Sequence, residues 1–256
     1  MGKVVLITGS TSGIGLGIAR QFAANGYDIM FHGLEANGAE IAKGIAEEFN
    51  VKTSFSNANL LEADEVKQLV RDTMAYFGSI HVLINNAGIQ FVSPIEDFPD
   101  QKYLNIMAIN LNAAFFASKE AWGHMKAQKF GRIINVSSVH GLRASEFKVA
   151  YVASKHGVIG MTKVLALEGA DCNITVNAIC PGYVKTPLVE GQIQDQAKAH
   201  NMTAEEVVTK VMLKKQAVKD FVPVEAIADM ALLLAKESST TITGSAFTLD
   251  GGWSAQ

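Results

Sequence analysis

A tyrosine and a lysine stand four residues apart in the segment YVASK, at Tyr151 and Lys155 of this 256-residue chain. On a helix, residues four apart share one face, so the ammonium group would lie beside the phenol. A nearby positive charge favours the ionised phenol and lowers its pKa from about 10 towards working pH. The pair could therefore supply a general base that removes a proton from a hydroxyl group. The alternative is an exposed helix pair without chemistry, since this spacing is common.

Several polar side chains accompany this pair. Four of them can donate hydrogen bonds. His140 and Lys148 lie near the pair in the sequence, Gln90 follows a glycine-containing turn, and Gln192 lies in a later segment. One cation among several donors suits a small carboxylate, which would be paired and desolvated in a closed site. Each residue also has an ordinary interpretation, because a lone histidine is commonly structural, and lysines and glutamines commonly cover surfaces.

A glycine-rich segment, TGSTSGIG at residues 8–15, lies between a predicted strand and a predicted helix. Its glycines, Gly9, Gly13 and Gly15, allow a sharp turn and a close approach of the backbone to a ligand. The helix that follows would present unpaired N–H groups and a positive dipole end to a pyrophosphate. The spacing G-x-x-x-G-x-G differs from the standard G-x-G-x-x-G, but its place between strand and helix predicts a dinucleotide site.

The residues after the second predicted strand, FHGLEAN, indicate which dinucleotide is preferred. The acidic residue that binds the adenosine ribose is expected about 20 residues beyond the glycine segment. His32, Gly33 and Leu34 occupy that place, and Glu35 follows one step later. Neither lysine nor arginine stands there or at residues 10–12 to neutralise a 2′-phosphate. The missing cations predict NAD rather than NADP.

The elements that must position these residues alternate between short β-branched runs and helical patterns. Apolar runs typical of strands occupy residues 4–7, 29–31, 82–84, 133–136, 174–179 and 246–249, with a weaker one at 52–56. Between them, apolar residues repeat at helical spacing, as at Ile14, Ile18 and Phe22. This alternation predicts an α/β fold, with a doubly wound parallel sheet covered by helices on both faces.

No repeat or linker divides the chain, so residues 1–256 are predicted to form a single domain. Residues 186–220 depart from the alternation and are richer in Gln, Lys and Met. Within them, Thr203 and Glu206 form a capping-box pattern that predicts a helix start. A helical insertion past the strand ends could act as a lid over a site. A surface hairpin without function is an equal alternative.

Composition narrows the class of partner and the compartment. Lys and Arg total 22 against 25 Asp and Glu, and the formal net charge of −3 gives no reason to expect nucleic acid or an anionic membrane as partner. The two cysteines, Cys172 and Cys180, lack metal-ligand spacing, and no metal site is predicted. Because the N-terminus has no signal-peptide pattern and no apolar run is long enough to span a bilayer, a cytoplasmic protein is expected.

Taken together, the motifs resemble those of the short-chain dehydrogenase/reductase family. They are TGSTSGIG at residues 8–15, NNAG at 85–88, Ser138, YVASK at 151–155 and PG at 181–182, and they extend over essentially the whole chain. The resemblance implies a seven-stranded Rossmann sheet, a nicotinamide cofactor and a homotetramer. The cofactor contacts that it implies are Gly9, Thr11, Ser12, Gly13, Ile14, Gly15, Leu34, Asn59, Leu60, Asn86, Ala87, Gly88, Tyr151, Lys155, Pro181, Gly182, Val184 and Thr186.

On the cofactor side, one residue departs from the family pattern. Asn59 stands where an aspartate usually holds the adenine. Its amide oxygen can still accept a hydrogen bond from the adenine amino group, so weaker binding is expected. By the same resemblance, Asn86 supports the adenosine side, and Val184 and Thr186 contact the nicotinamide carboxamide.

The resemblance also implies a catalytic tetrad of Asn110, Ser138, Tyr151 and Lys155. In the oxidation of an alcohol, Tyr151 would take the hydroxyl proton while hydride leaves the carbon, and Ser138 would hold the substrate oxygen by a hydrogen bond. Lys155 would also bind the nicotinamide ribose. Asn110 would anchor a proton-relay water, with Asn112 as the competing candidate in the segment NLN.

A subgroup of the family that acts on D-3-hydroxybutyrate resembles this chain further, in NNAGIQ, SVHGL, CPGYVKTPLVE and DGGW. In that subgroup Trp is frequent at the place of Tyr183. The residues implied to bind the substrate are Gln90, Ser138, His140, Lys148, Tyr151 and Gln192, with Trp253 shaping the pocket.

The expected activity is therefore the NAD-dependent interconversion of (R)-3-hydroxybutyrate and acetoacetate, with a small hydroxy or keto carboxylate as the partner. Two alternatives stay open. One is a reductase of another 3-oxoacyl substrate, such as an acyl-thioester. The other is a non-catalytic NAD(H)-sensing module, against which the intact Ser138, Tyr151 and Lys155 argue.

Overall fold

A seven-stranded sheet forms the centre of the molecule. The computed structural model describes residues 2–186, 189–191, 193, 197 and 202–255. All strand pairs are parallel, in the order β3-β2-β1-β4-β5-β6-β7. The strands are β1 Val4–Ile7, β2 Asp28–His32, β3 Thr53–Ser56, β4 Val82–Asn85, β5 Gly131–Val136, β6 Ile174–Pro181 and β7 Ala246–Leu249. The predicted α/β class, single domain and seven-stranded Rossmann sheet are confirmed.

Helices cover both faces of the sheet. They are α1 Gly13–Ala24, α2 Gly38–Phe49, α3 Ala63–Phe77, α4 Asp100–Met107, α5 Ala113–Ala127, α6 Val149–Gly169, α7 Ala204–Val207 and α8 Val224–Ala235. None of these described helices combines the length and the apolar character needed to cross a bilayer.

The alternation of side chains along the strands divides the core into two layers. In β1, Val5 and Ile7 pack on one side, together with α1, α2 and α8, whereas Leu6 packs on the other side with α3 and α5. Successive strand residues face opposite sides, so a continuously apolar strand supplies both layers. Burying each such side chain stabilises the fold by about 1.5–3 kcal/mol. This packing fixes the position of each strand end in the sheet.

The strand order reverses next to β1, which pairs with β2 on one side and with β4 on the other. In open α/β sheets, ligands bind outside the carboxyl ends of the strands at such a switch point. The loops after β1 and β4 meet there: the Thr8 Oγ1 accepts hydrogen bonds from the backbone N–H groups of Asn86 (3.0 Å) and Ala87 (3.1 Å).

A buried polar chain ties the strand ends to α6. The Asn85 Nδ2 donates to the Asn135 Oδ1 (2.8 Å), and the Asn135 Nδ2 donates to the Thr162 Oγ1 (2.9 Å). Buried hydrogen bonds of this kind are costly to break, so the three side chains hold β4, β5 and α6 in one register. This register sets where the first turns of α6 stand relative to the end of β5.

The predicted insertion begins and ends beside β6. A parallel bridge joins Val184 to Val222, so the residues that flank 186–220 lie next to each other. The Thr203 Oγ1 accepts from the Glu206 N–H, and the Glu206 carboxylate accepts from the Thr203 N–H, which confirms the predicted capping box and helix start. A role of this segment as a lid stays a prediction.

Candidate active site

Ser138 lies just beyond β5, at the start of a short helical turn, Val139–Gly141. Its hydroxyl accepts a hydrogen bond from the His140 N–H (3.1 Å) and so caps this turn. The preceding Ser137 donates to the Lys155 carbonyl oxygen (3.1 Å), which fastens the turn to α6. Ser138 and Tyr151 line the same pocket.

Tyr151 and Lys155 lie on the inner face of α6, one turn apart. The Lys155 Nζ stands 5.6 Å from the centroid of the Tyr151 ring and donates to the Val136 carbonyl oxygen at the end of β5 (2.8 Å). Lys155 is only 4% exposed. The alternative of an exposed helix pair therefore does not describe this structure.

Burial dominates the titration of both groups. It raises the pKa of Tyr151 above its ordinary value, although a hydrogen bond from Ser138 acts in the opposite direction. Burial also lowers the pKa of Lys155 to about 8. The lowering of the phenol pKa expected from Lys155 is not seen in the protein alone, where desolvation of the phenolate sets the direction of the shift.

Asn110 is held within a π-helical segment, Ala108–Asn112, that joins α4 to α5. Its Oδ1 accepts from the Ile89 N–H (2.8 Å), and its Nδ2 donates to the Ile89 carbonyl oxygen (2.9 Å) and to the Ser154 hydroxyl (3.2 Å). Asn110 is 3% exposed, whereas Asn112 is exposed, which favours Asn110 of the two candidates. The π-helical segment has no signal in the sequence.

Gly88 lies between Asn110 and Lys155. A Cβ atom at this position would stand 3.4 Å from the Asn110 Oδ1 and 3.5 Å from the Lys155 Nζ. The two polar groups therefore flank the same backbone, which follows β4. This places the asparagine and the lysine of the predicted tetrad at the edge of the glycine-lined groove.

The glycine segment after β1 is shaped by close backbone contacts. Gly9 and Gly13 have positive φ angles of 63° and 52°, which favour glycine. At Gly15, a Cβ atom would stand 2.0 Å from the Gly9 carbonyl oxygen. The Asn86 Nδ2 donates to the carbonyl oxygens of Thr8 and Gly9, both at 2.9 Å. The loop thus leaves the first N–H groups of α1 open towards the groove.

This groove has a volume of about 420 Å³, which lies within the range of small-molecule and cofactor sites. The predicted cofactor residues that line it are Gly9, Ser12, Gly13, Ile14, Leu34, Asn59, Leu60, Asn86, Ala87, Gly88 and Thr186. A smaller adjoining pocket is lined by Ile14, Tyr151, Pro181, Gly182, Val184 and Thr186. Thr11, Gly15 and Lys155 stand outside both linings. Thr11 and Gly15 support the loop, and Lys155 lies next to Gly88. The glycine backbone, the helix end and the open groove fit a nicotinamide dinucleotide.

Asn59 also makes a hydrogen bond within its own turn of the chain. Its Oδ1 accepts a hydrogen bond from the Leu61 N–H (3.1 Å) within its own turn. An amide oxygen has two lone pairs, so one acceptor site remains for an adenine amino group. The expected weaker contact at this position stays a prediction.

Two residues of the groove were not assigned a role from the sequence. The Glu35 carboxylate accepts hydrogen bonds from the hydroxyl groups of Thr11 and Ser12. Burial opposes its ionisation, but hydrogen bonds, led by that from Thr11, outweigh burial and lower the Glu35 pKa. The His32 Nδ1 accepts from the Gly9 N–H (3.0 Å) and so holds the loop in place. An Asp or Glu just past the second strand is the signal that could have pointed to Glu35.

The predicted substrate residues meet in one pocket. Those that line it are Gln90, Ser138, His140, Lys148 and Tyr151, with Trp253. Gln192 lies outside the described residues, so its placement stays a prediction. The Asp250 carboxylate accepts from the backbone N–H groups of Gly252 (3.0 Å) and Ser254 (2.9 Å), a tight turn that aims Trp253 into the pocket.

Lys148 and His140 form the polar end of this pocket. The Lys148 Nζ lies 3.4 Å from the His140 Nε2, and Lys148 is 8% exposed. Burial lowers the Lys148 pKa to about 8, and burial together with the Lys148 charge lowers the His140 pKa to about 4. Near neutral pH, the site therefore holds an ammonium group beside a neutral imidazole, whose buried Nδ1 has no partner among the described residues.

Comparison with known proteins places this geometry in a family. A sequence model described as short chain dehydrogenase matches residues 3–197. The chain belongs to the short-chain dehydrogenase family. As a member of that family, the protein is an oxidoreductase that uses a nicotinamide cofactor.

Two curated short-chain dehydrogenases are similar over their whole lengths. The D-beta-hydroxybutyrate dehydrogenase of Rhizobium meliloti (strain 1021) is 46% identical over 258 residues, covering 100% of both chains. The D-beta-hydroxybutyrate dehydrogenase of Cupriavidus necator is 43% identical, covering 100% of this chain and 99% of its own. Among solved structures, a single-residue variant of actinorhodin polyketide ketoreductase with NADPH superposes with a TM-score of 0.93 at 30% identity, covering 100% of this chain and 98% of its own.

A glycine replacement tests the groove. We expect Gly15→Ala to raise the Kd for NADH about 5- to 150-fold, because the added methyl group displaces the Gly9 carbonyl and such overpacking costs about 1–3 kcal/mol. Titration of NADH fluorescence measures the Kd. Gly44→Ala is the matched control, since a Cβ atom at this position in α2 meets no atom within 4 Å. Equal affinity in the two variants would contradict the assignment of this loop to the cofactor.

Proposed function

We propose that the protein interconverts (R)-3-hydroxybutyrate and acetoacetate with NAD as cofactor. The observation that carries the proposal is a buried ammonium group, that of Lys148, in the pocket that also holds Ser138 and Tyr151. Among the described residues, no carboxylate lies within ion-pair distance of it. A buried cation needs an anionic partner, and a substrate carboxylate would supply one.

The carboxylate would meet a defined set of donors. The Lys148 ammonium can only donate hydrogen bonds, so the His140 Nε2 accepts from it. The single proton of the neutral imidazole then resides on Nδ1. This unpartnered Nδ1–H would donate to the carboxylate, with Gln90 across the same pocket. Charge-assisted bonds of this kind fix both the position and the orientation of a small acid.

With its carboxylate bound there, the other end of the acid would face Ser138 and Tyr151. In oxidation, the Tyr151 phenolate takes the hydroxyl proton, and Ser138 donates a hydrogen bond to the substrate oxygen. Bound NAD supplies the hydride acceptor for the carbon that bears this oxygen. In the reverse direction, the protonated phenol returns its proton to the oxygen of acetoacetate. Lys155 stabilises the phenolate, and Asn110 holds the adjoining backbone at Ile89.

The two curated relatives named as D-beta-hydroxybutyrate dehydrogenases support the choice of substrate, since their identity extends over the full chain. The residues around Glu35 support NAD. A 2′-phosphate on the adenosine ribose would face an ionised carboxylate there, and no lysine or arginine lines the groove among the described residues. Repulsion between this carboxylate and the 2′-phosphate would disfavour the binding of NADP.

The proposal includes three further features. Residues 186–220 would act as a lid, since Thr186 and Val189 line the pocket from the start of this segment. The family resemblance supports a homotetramer. The cytoplasmic location that the sequence leads us to expect is the third feature.

A substrate panel tests the proposal. We expect NAD-coupled turnover of (R)-3-hydroxybutyrate, with little turnover of the S enantiomer, of the uncharged amide or of a thioester of the same acid. The amide keeps the shape and the hydroxyl group but offers no charge to Lys148. Comparing kcat/KM across the four compounds measures the preference. Equal rates for acid and amide would remove the carboxylate assignment, and preference for the thioester would favour a 3-oxoacyl reductase.

A double replacement tests the cofactor preference. Leu34 is 72% exposed at the groove. We expect Leu34→Arg with Glu35→Gln to raise kcat/KM for NADP about tenfold or more, because a guanidinium then pairs with the 2′-phosphate and the opposing charge is gone. The ratio of kcat/KM for NADP and NAD is the readout. Glu47→Gln, which removes an exposed carboxylate from α2, should leave this ratio unchanged. An unchanged ratio in the double variant would place the preference elsewhere.

A further inference from the structure

Four side chains around the substrate pocket form a closed ring of contacts. His140 meets Trp253 edge to face, with ring centroids 5.2 Å apart, and Trp253 stacks on Tyr183 at 5.9 Å with an interplanar angle of 21°. The Lys148 Nζ lies 5.6 Å from the centroid of the Tyr183 ring, and 3.4 Å from the His140 Nε2. The members come from three connections: His140 and Lys148 lie between β5 and α6, Tyr183 follows β6, and Trp253 follows β7.

Lys148 is thus held by an aromatic face and an imidazole nitrogen. A cation over an aromatic ring is attracted by the negative face of the π system, and the attraction is stronger when water is excluded. Lys148 and Trp253 are both buried. The Tyr183 ring therefore stabilises the Lys148 ammonium without using its hydrogens, so those not donated to His140 can bind a ligand.

The Tyr183 ring is held in place through its own backbone. The Tyr183 N–H donates to the Gln216 Oε1 (3.1 Å), and the Tyr183 carbonyl oxygen accepts from the Val222 N–H (2.8 Å). Gln216 is fully buried, and its Nε2 donates to the Asp220 carbonyl oxygen (2.8 Å). The stack on Trp253 then fixes the plane of the ring.

We propose that Tyr183 is a positioning residue that acts through Lys148: the face of its ring keeps the ammonium group charged for the substrate carboxylate. This inference rests on the proposed function, since it assigns the anion site to Lys148. The interaction with Lys148 involves the π face of the Tyr183 ring and not the hydroxyl group. Phenylalanine would therefore replace Tyr183, whereas an aliphatic side chain of similar size would not.

Several titratable groups surround the Lys148 ammonium. His140 is neutral near pH 7, since its pKa is about 4. Burial raises the Tyr183 and Tyr151 pKa values, so both phenols are uncharged in this range. The charge of Lys215, which stands 5.5 Å from the Trp253 centroid, lowers the Lys148 pKa further. Lys155 also titrates at about 8, so its contribution must be separated by experiment.

The test measures acetate binding to the NADH-saturated protein by calorimetry between pH 6 and 10. In the wild type and in Tyr183→Phe, the Kd for acetate should rise as the pH passes about 8, where Lys148 loses its charge. In Tyr183→Leu, the ring face no longer favours the ammonium, so the midpoint should move down by about one pH unit. At pH 6, all three proteins should bind acetate within about threefold of one another.

A Lys148→Ala variant separates this inference from the proposed function. It should bind acetate weakly at every pH, and any residual pH dependence reports Lys155. If Lys148→Ala binds acetate as the wild type does, or if the wild type binds none, the anion site and the inference both fail. If Lys148→Ala loses binding but Tyr183→Leu and Tyr183→Phe share one midpoint, the role of Tyr183 alone is overturned. A Tyr183→Leu variant that is weakened equally at all pH values also overturns it, since that pattern indicates a structural loss.

Discussion

Replacing Tyr151 with phenylalanine is expected to lower kcat about one hundred- to ten thousand-fold, the range that a general acid–base residue contributes. The phenyl ring keeps the packing against His140, whose ring centroid lies 6.0 Å from that of Tyr151. Only the hydroxyl group that exchanges the proton is lost. Steady-state assays with (R)-3-hydroxybutyrate measure kcat, and NADH titration should show an unchanged Kd.

Tyr27→Phe provides the matched control for this variant. Tyr27 is also buried, but it packs on Phe22 in the core below α1, away from the pocket. The same loss of a hydroxyl group should leave kcat near that of the wild type. A Tyr151→Phe protein that keeps wild-type turnover would defeat the proposed proton transfer.

The direction of the Tyr151 pKa shift predicts how the two reactions depend on pH. Burial raises this pKa, so the phenol is protonated at neutral pH in the protein alone. Oxidation needs the phenolate, and its rate should rise with pH. Reduction needs the phenol, and its rate should fall as the pH rises through the same pKa.

Lys148→Ala is expected to lower kcat/KM for 3-hydroxybutyrate about 10- to 150-fold, since hydrogen bonds to charged groups contribute about 1.5–3 kcal/mol. The loss should appear in KM and also in kcat, because the carboxylate contact positions the reacting carbon. The affinity for NADH should not change, because Lys148 lines the smaller pocket and not the dinucleotide groove.

Two controls accompany the Lys148 variant. Lys163→Ala removes an ammonium group from the exposed face of α6, the helix that follows Lys148, and should leave KM unaltered. The uncharged amide of the substrate should react equally slowly with the wild type and with Lys148→Ala. A KM for the acid that is untouched in Lys148→Ala would mean that this lysine does not bind substrate.

Local patterns predicted much of the fold. The apolar strand runs and the capping residues are short-range features, and strands such as β1 and β7 occur at the predicted residues. The spacing of Tyr151 and Lys155 placed both on one helix face for the same reason. The seven-stranded Rossmann sheet and the grouping of Ser138 with Tyr151 came from the family resemblance, because no local pattern encodes which strand ends become neighbours.

What the sequence could not supply depends on burial and on contacts between distant segments. The raised pKa of Tyr151 reflects desolvation by surrounding elements, which the neighbouring Lys155 does not reveal. Glu35 is held in the groove by hydrogen bonds from hydroxyl groups 23 and 24 residues earlier in the chain. The sequence showed Tyr183 only as a departure from the subgroup pattern. Its contacts with Lys148 and Trp253 join segments that are distant in the sequence.

The π-helical segment at Ala108–Asn112 constrains how the chain can change in length. Such a segment holds one residue more than the equivalent α-helical turn. Deleting one residue there would restore regular α-helical winding and change the directions of the side chains within this stretch. Asn110 would then swing away from the backbone at Ile89. Insertions and deletions should therefore be tolerated in the surface loops of this protein but selected against in that stretch, even where each substitution is mild.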